Sequence, residues 1–197
     1  MQSSTHYLTR ITLPIVRARE CGLTSDYHFH QALYHCFGSE QASQRCLFRT
    51  DTTPFGDLNV LLLSPTEPKP LLWGAWKSQP LAVDTLIQNN RIYHFQLAAN
   101  VTRTEMGTGR RLPLKETDQQ LAWLDRKGLL HGFKITEAFV DRTEIVKTPA
   151  KNAVHFVVHF KGLLACTDSD KLAAAFTTGI GRAKAFGCGM LSLKPVS

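Results

Sequence analysis

Tyr27 and His30 stand three residues apart in the stretch Asp26-Tyr27-His28-Phe29-His30-Gln31-Ala32-Leu33-Tyr34, whose spacing predicts a helix. Side chains three apart on a helix can meet. An imidazole beside a phenolic hydroxyl is equipped for proton transfer near neutral pH. In metal-free RNA cleavage a base removes the proton of a ribose 2′-OH and an acid protonates the leaving 5′ oxygen. A histidine can fill either role, and a tyrosine hydroxyl can orient groups or donate to a phosphate oxygen. The helix N-terminus disfavours imidazolium, which keeps His30 neutral and fit to act as a base. The same pattern also fits a border histidine that only satisfies a backbone carbonyl.

A second candidate lies near the C-terminus. Residues 179–189 read Gly-Ile-Gly-Arg-Ala-Lys-Ala-Phe-Gly-Cys-Gly, so Gly179, Gly181, Gly187 and Gly189 frame Arg182 and Lys184. Glycines let backbone amides approach a phosphate, and the two cations add attraction. The stretch follows a predicted helix and precedes a strand. Nucleotide-binding glycine loops have the opposite order, and no Gly-Lys-Ser/Thr is present, so ATP and NAD are disfavoured. Between 103 and 115, Arg103, Arg110, Arg111 and Lys115 surround Met106-Gly107-Thr108-Gly109. That loop suits an RNA backbone or a guanine edge, and it equally suits a solvated surface turn. Carboxylates paired at metal spacing are missing, so neither a two-metal nuclease nor any other metal site or cofactor is expected.

The elements that must hold these residues follow from periodicity and punctuation. A strand is expected over 7–17, with Pro14 at an edge or bulge. A helix follows over 26–37, capped by Ser25 or Thr24. At about 100° per residue it places Phe29, Ala32, Leu33, Cys36 and Phe37 on its core face. His30 falls at the border of that face, Tyr27, Gln31 and Tyr34 lie beyond it, and His28 and His35 project to solvent. Strands are expected over 44–50, 57–64 and about 80–87, with a turn at Pro54 and Gly56 and a Pro-rich stretch from Pro65 to Pro70.

In the second half a strand is expected over 91–103 and a helix over 115–127 ended by Gly128. Strands over 133–146 and 153–165, a helix ending at Gly179, and a strand over 190–194 complete it. Strand, helix, strand, strand, helix, strand is the ferredoxin-like order shared by RNA-recognition modules. The first half follows it more loosely, its second helix poorly marked. The expectation is an α+β protein of tandem ferredoxin-like βαββαβ domains, residues 1–89 and 90–197.

Composition sets the wider limits. The 197 residues are 43% hydrophobic, enough to bury a core. The five cysteines are widely spaced without a CxxC pair, which suggests reduced thiols. No apolar run approaches a membrane span and no signal-peptide core is visible, so a cytoplasmic protein is expected. Residues 1–100 carry 8 Lys/Arg against 7 Asp/Glu, whereas residues 101–197 carry 15 against 9. A basic half joined to a neutral half suggests one polyanion-binding face, with nucleic acid the obvious ligand.

Taken together these residues resemble the CasE family, the repeat-processing endoribonucleases of subtype I-E CRISPR (Cascade) systems. Tyr27 through His35 resembles the family helix in which a Tyr-x-x-His pair is followed by Gln and an aromatic-His. Tyr93-His94-Phe95-Gln96-Leu97-Ala98-Ala99-Asn100 resembles its Tyr-x-Phe-Arg-Leu-Arg-Ala-Asn-Pro strand. Ala122 through Lys127 resembles the mid-chain helix, with Gly132-Phe133 following. Gly179 through Gly189, running into Met190-Leu191-Ser192-Leu193, is the most specific piece.

The resemblance implies metal-independent cleavage of CRISPR precursor RNA at the base of the repeat hairpin. Its products would be a 2′,3′-cyclic phosphate (or 3′ phosphate) and a 5′ hydroxyl. It also implies retention of the mature guide's 3′ hairpin within a Cascade-like surveillance complex. The family's catalytic histidine and tyrosine fall on His30 and Tyr27. Gln96 and Ala98 stand where the family has arginines, Val101 where it has proline, and the 104–112 loop is short, so some RNA contacts must differ. A processing enzyme of another subtype, such as type IV, fits the same motifs. A non-cleaving RNA-binding subunit on this scaffold is the alternative from another class, and a small-molecule enzyme with a phosphate site in the glycine loop is a third.

Overall fold

The computed structural model describes residues 5–37, 46–148 and 153–196. The chain divides into two compact units. One is formed by residues up to Leu86 with Lys184–Gly187, the other by Ile87–Ala183 with the residues from Cys188 onward.

The first unit contains β1 (Thr5–Leu13), α1 (Ile15–Glu20), α2 (Asp26–Tyr34), β2 (Leu47–Thr52), β3 (Leu58–Ser64), β4 (Ala75–Ala82) and α3 (Val83–Leu86). Its sheet is antiparallel in the order β2-β3-β1-β4. β1 stops four residues short of its expected end. Pro14 is neither edge nor bulge: β1 lies between β3 and β4, where a residue lacking N–H cannot continue the ladder. Its carbonyl instead accepts from Ala18 N at 3.0 Å and opens α1. The strand expected near 80–87 lies at Ala75–Ala82, and residues 83–86 coil into α3. Pro80, opposite Tyr7, is tolerated because β4 is an edge. The first residues of the strand expected over 44–50, 44 and 45, lie outside the described residues. Residues 65–74, which include Pro65, Pro68 and Pro70, contain no helix, so the second ferredoxin helix is missing here.

The core of this unit forms under α2. Phe29, Leu33, Cys36 and Phe37 pack with Ile11, Leu13, Phe48, Val60, Leu62 and Trp73. Full burial of each large apolar side chain contributes about 1.5–3 kcal/mol. That face is the one the helical projection selects, and it fixes which side of α2 is left for chemistry.

The second unit contains β5 (Ile92–Asn100), β6 (Thr102–Thr104), β7 (Arg111–Pro113), α4 (Thr117–Leu130), β8 (Phe133–Thr148), β9 (Ala153–Cys166), α5 (Ser169–Thr178) and β10 (Leu191–Pro195). The strand order β10-β5-β9-β8 is ferredoxin-like. Register shifts between Ile135 and Glu137 and between Val140 and Arg142 mark bulges in β8. Trp123 of α4 stacks on Phe160 of β9, with centroids 6.3 Å apart and planes 8° from parallel. Asp168 caps α5 by accepting from Lys171 N at 3.0 Å, and α5 ends at Gly179, φ 79°. Two antiparallel sheets with this order make the protein α+β with tandem ferredoxin-like units.

Gly128 does not end the mid-chain helix. α4 runs on to Leu130, and the chain turns at Gly132, φ 74°. Gly128 is required by crowding: a Cβ there would lie 2.6 Å from the Phe133 carbonyl oxygen and 3.2 Å from the Phe133 ring. On an exposed helix Gly→Ala is favourable by about 1 kcal/mol. Here Gly128→Ala is expected to destabilise by about 1–3 kcal/mol through overpacking, seen as a lowered Tm. An unchanged or raised Tm would rule out the close contact.

Candidate active site

α2 presents the chemistry of the first unit. Ser25 caps it, accepting from His28 N at 3.4 Å, and Asp26 occupies the positive first turn. His28 is half-buried rather than solvent-exposed: its Nδ1 lies 3.0 Å from Thr24 Oγ1 and 3.1 Å from Ser25 Oγ. His35 is exposed as expected.

His30 sits at the border of the core face, half-buried. Its ring centroid lies 4.7 Å from that of Tyr34 and 6.3 Å from that of Phe48. With Tyr34, Cys46, Lys184 and Ala185 it lines a concavity of about 200 Å³. Burial pushes its pKa below the ordinary imidazole value, because leaving water penalises the charged form. The Cys46 thiol is pushed up to about 11 by the same cause and stays protonated. A neutral imidazole beside a lysine ammonium is an arrangement able to accept a proton and steady a nearby negative charge.

Lys184 enters this concavity on a short 3₁₀ segment, Lys184–Phe186. The segment is held against α2 by Phe186, whose ring stacks on Tyr27 with centroids 5.9 Å apart and planes 21° from parallel. Gly187 follows with φ 69°, and a Cβ there would lie 3.2 Å from the Asp26 carboxyl carbon. A side chain at 187 would therefore be strained in backbone and crowded in space. Among the described residues Tyr27 and His30 make no ring contact: the Tyr27 hydroxyl accepts from Gln31 Nε2 at 3.4 Å, and each ring has a different neighbour. Phe186 escaped the sequence reasoning, which weighed the loop's glycines and cations and passed over its aromatic ring.

In the second unit the ends of the same loop are tied by backbone hydrogen bonds. Ile180 N donates to Gly189 O at 2.9 Å, Gly189 N to Ala98 O at 2.7 Å, and Gly179 N to Ala175 O at 2.8 Å. Gly181 lies against Trp123, 3.6 Å from the indole to a Cβ built there. The amides of Gly179 and Gly189 are thus engaged within the protein, which leaves cations, not these amides, to face an anion. Arg182 is exposed.

The segment expected as a basic loop is a small hairpin. β6 and β7 pair Arg103 with Leu112 and Thr104 with Arg111, and Glu105 N donates to Arg110 O at 2.8 Å. Strand alternation therefore sets Arg103 and Arg110 on one face of the ribbon and Arg111 on the other. Thr108 Oγ1 donates to Glu105 Oε2 at 2.6 Å and braces the turn. Arg103, Arg110, Arg111 and Lys115 are all exposed. Two acidic groups of the second unit are engaged elsewhere, Asp141 with Lys161 at 3.0 Å and Glu144 with His159 Nε2 at 2.6 Å. Among the described residues no group of three or more His, Cys, Asp or Glu is arranged to hold a metal ion.

The family described as CRISPR associated protein matches residues 6–195. The chain belongs to that family. It is similar to the CRISPR system Cascade subunit CasE of Escherichia coli, 28% identical over 214 aligned positions that cover 96% of this chain and 100% of that protein. It is similar to the CRISPR-associated endoribonuclease Cse3 of Thermus thermophilus, 26% identical over 96% of this chain and 100% of that one. The solved structure of Thermus thermophilus Cse3 bound to an RNA representing a pre-cleavage complex has a TM-score of 0.88 and 25% identity, covering 97% of this chain and 100% of that chain. Family membership and fold thus agree with the CasE resemblance read from the sequence.

The direction of the His30 shift can be checked directly. Because the folded state resists the proton, acidification through the window between the His30 pKa and the ordinary value near 6.5 disfavours folding. An NMR titration of the free protein should give His30 a midpoint below about 6.5. A midpoint at or above it would remove desolvation as the controlling influence.

Proposed function

We propose that the protein is an endoribonuclease that cuts CRISPR precursor RNA at the base of the repeat hairpin and keeps the mature guide. End-to-end likeness to a Cse3 structure holding an RNA in a pre-cleavage complex carries the reading. The chemistry is assigned to protein groups without a metal.

In this reading His30, held neutral by its half-buried setting, takes the proton of the ribose 2′-OH. The 2′ oxygen attacks the adjacent phosphorus and the bond to O5′ breaks as the leaving oxygen takes a proton from a solvent water. The products are a 2′,3′-cyclic phosphate and a 5′ hydroxyl. Charge builds on the non-bridging oxygens during attack, and the Lys184 ammonium in the same concavity stabilises it more than it stabilises the ground state. Tyr27 acts at the same surface: its hydroxyl orients or donates to the phosphate, and its ring holds the segment that carries Lys184. Arg103, Arg110, Arg111, Lys115 and Arg182 supply exposed positive charge for the RNA backbone. Gly181 and Gly187 shape the loop around its cations. The protein works in the cytoplasm as a subunit of a Cascade-like complex.

A labelled repeat hairpin incubated with the protein in EDTA should be cut once near its base, and His30→Ala should bind without cutting. Loss of cutting in EDTA would refute the metal-free mechanism. Equal cutting by His30→Ala would take that residue out of the active site, and binding without cutting by the wild type would favour a guide-holding subunit.

The hairpin arginines generate a separate expectation. Replacing Arg110 and Arg111 with alanine should weaken hairpin binding and reduce the slope of log K against log salt by about 0.7–0.9 per lost phosphate contact. A slope equal to that of the wild type would show that neither arginine meets a phosphate.

A further inference from the structure

The second unit has a face that the cleavage chemistry leaves unused. Along β5, Tyr93, Phe95 and Leu97 are buried, so His94 and Gln96 point to the opposite side and are exposed. Pairing across the sheet sets Ser192, Gln96, Lys161 and Phe139 in one row over all four strands. The neighbouring row runs Lys194, His94, Leu163 and Glu137. Together the two rows line a groove of about 480 Å³.

The chemistry of this groove is uneven. Phe139 keeps 50% of its surface in water at a mid-sheet row, and the side chains of His94, Gln96 and Lys194 make no hydrogen bond or ion pair among the described residues. Glu137 is the one acid in the lining, set against Lys161, Lys194 and His94. Lys161 is partly neutralised by Asp141 at 3.0 Å. A peptide partner normally needs a contiguous apolar patch, whereas here Phe139 is exposed and Leu163 is only partly so. An exposed ring flanked by cations, an amide and a hydroxyl matches an unpaired nucleotide, whose base stacks while its edge and phosphate find polar partners. Four strands at about 4.8 Å spacing give a row about 14 Å long, room for about two or three nucleotides.

We infer that this sheet face binds the unpaired RNA strand running 5′ from the hairpin, with a base stacked on Phe139 and phosphates beside Lys161 and Lys194. The inference rests on the function proposed above. A cut at the hairpin base leaves the hairpin at the 3′ end of the guide, so the strand retained with it is the 5′ one. The face adds affinity for that strand without entering the cleavage step.

The test compares two RNAs sharing one hairpin, one bare and one with an unpaired 5′ extension of about six nucleotides, long enough to cross the platform. Wild-type protein should bind the extended RNA about tenfold more tightly, the gain expected from stacking about one base. The double variant Phe139→Ala, Lys194→Ala, both positions being exposed, should lose that gain while binding and cutting the bare hairpin like wild type. An unaltered Tm checks that it folds. No gain from the extension in the wild type, or a gain kept in full by the double variant, overturns the inference. So does a double variant that treats both RNAs normally but no longer assembles with its complex, which would assign the face to a protein. A bare hairpin neither bound nor cut would instead overturn the proposed function.

Discussion

Phe186 must lie flat against Tyr27 before the rest of the first unit's site can take its place. That contact joins a helix near the start of the chain to a segment near its end. Two residues upstream of the stacked ring, Lys184 is carried into the concavity that holds His30. One residue downstream, Gly187 passes the Asp26 carboxylate at φ 69°, where a side chain would be strained in backbone and crowded in space. The position of the ammonium relative to the imidazole therefore depends on ring packing and backbone handedness. Beneath it, burial of Phe29 and Leu33 fixes the rotation of α2 and keeps His30 at the edge of water.

Charge and chemistry are assigned to different residues. The arginines of the β6–β7 hairpin are exposed, which suits long-range attraction to a polyanion. The base proposed at His30 needs the opposite environment, since that role depends on partial removal from water. Two acids of the second unit, Asp141 and Glu144, are held in pairs with Lys161 and His159. Glu144 is kept ionised by its hydrogen bond from His159, which holds its carboxyl below the usual range.

Local signals in the sequence were legible where local energetics decide the outcome. The projection of α2, its cap at Ser25, the second unit's element order and the stop at Gly179 all follow from periodicity and capping. Three features depended on contacts that only the folded chain creates. Pro14 was compatible with an edge strand until β1 proved to lie inside its sheet. Gly128 had the composition of a helix stop, and its requirement comes from Phe133 instead. The spacing of Tyr27 and His30 allowed them to meet, but an aromatic ring nearly 160 positions away offers Tyr27 a larger stacking surface. No window of sequence contains both of those rings, so no periodicity could report them. The phosphate-facing role expected of the Gly179 and Gly189 amides met a similar limit, because the carbonyls that occupy them belong to α5 and β5.

The free margins of the two sheets have a consequence for crowding. β4 is an edge interrupted by Pro80, and β10 is an edge that ends in Pro195. β8, the longest edge, is broken by two bulges that interrupt its regular ladder. A margin without a continuous row of donors and acceptors is a poor template for an additional strand. Copies of this chain brought to high local concentration, as on an array of identical transcripts, therefore find along β4 and β8 poor templates for a common sheet.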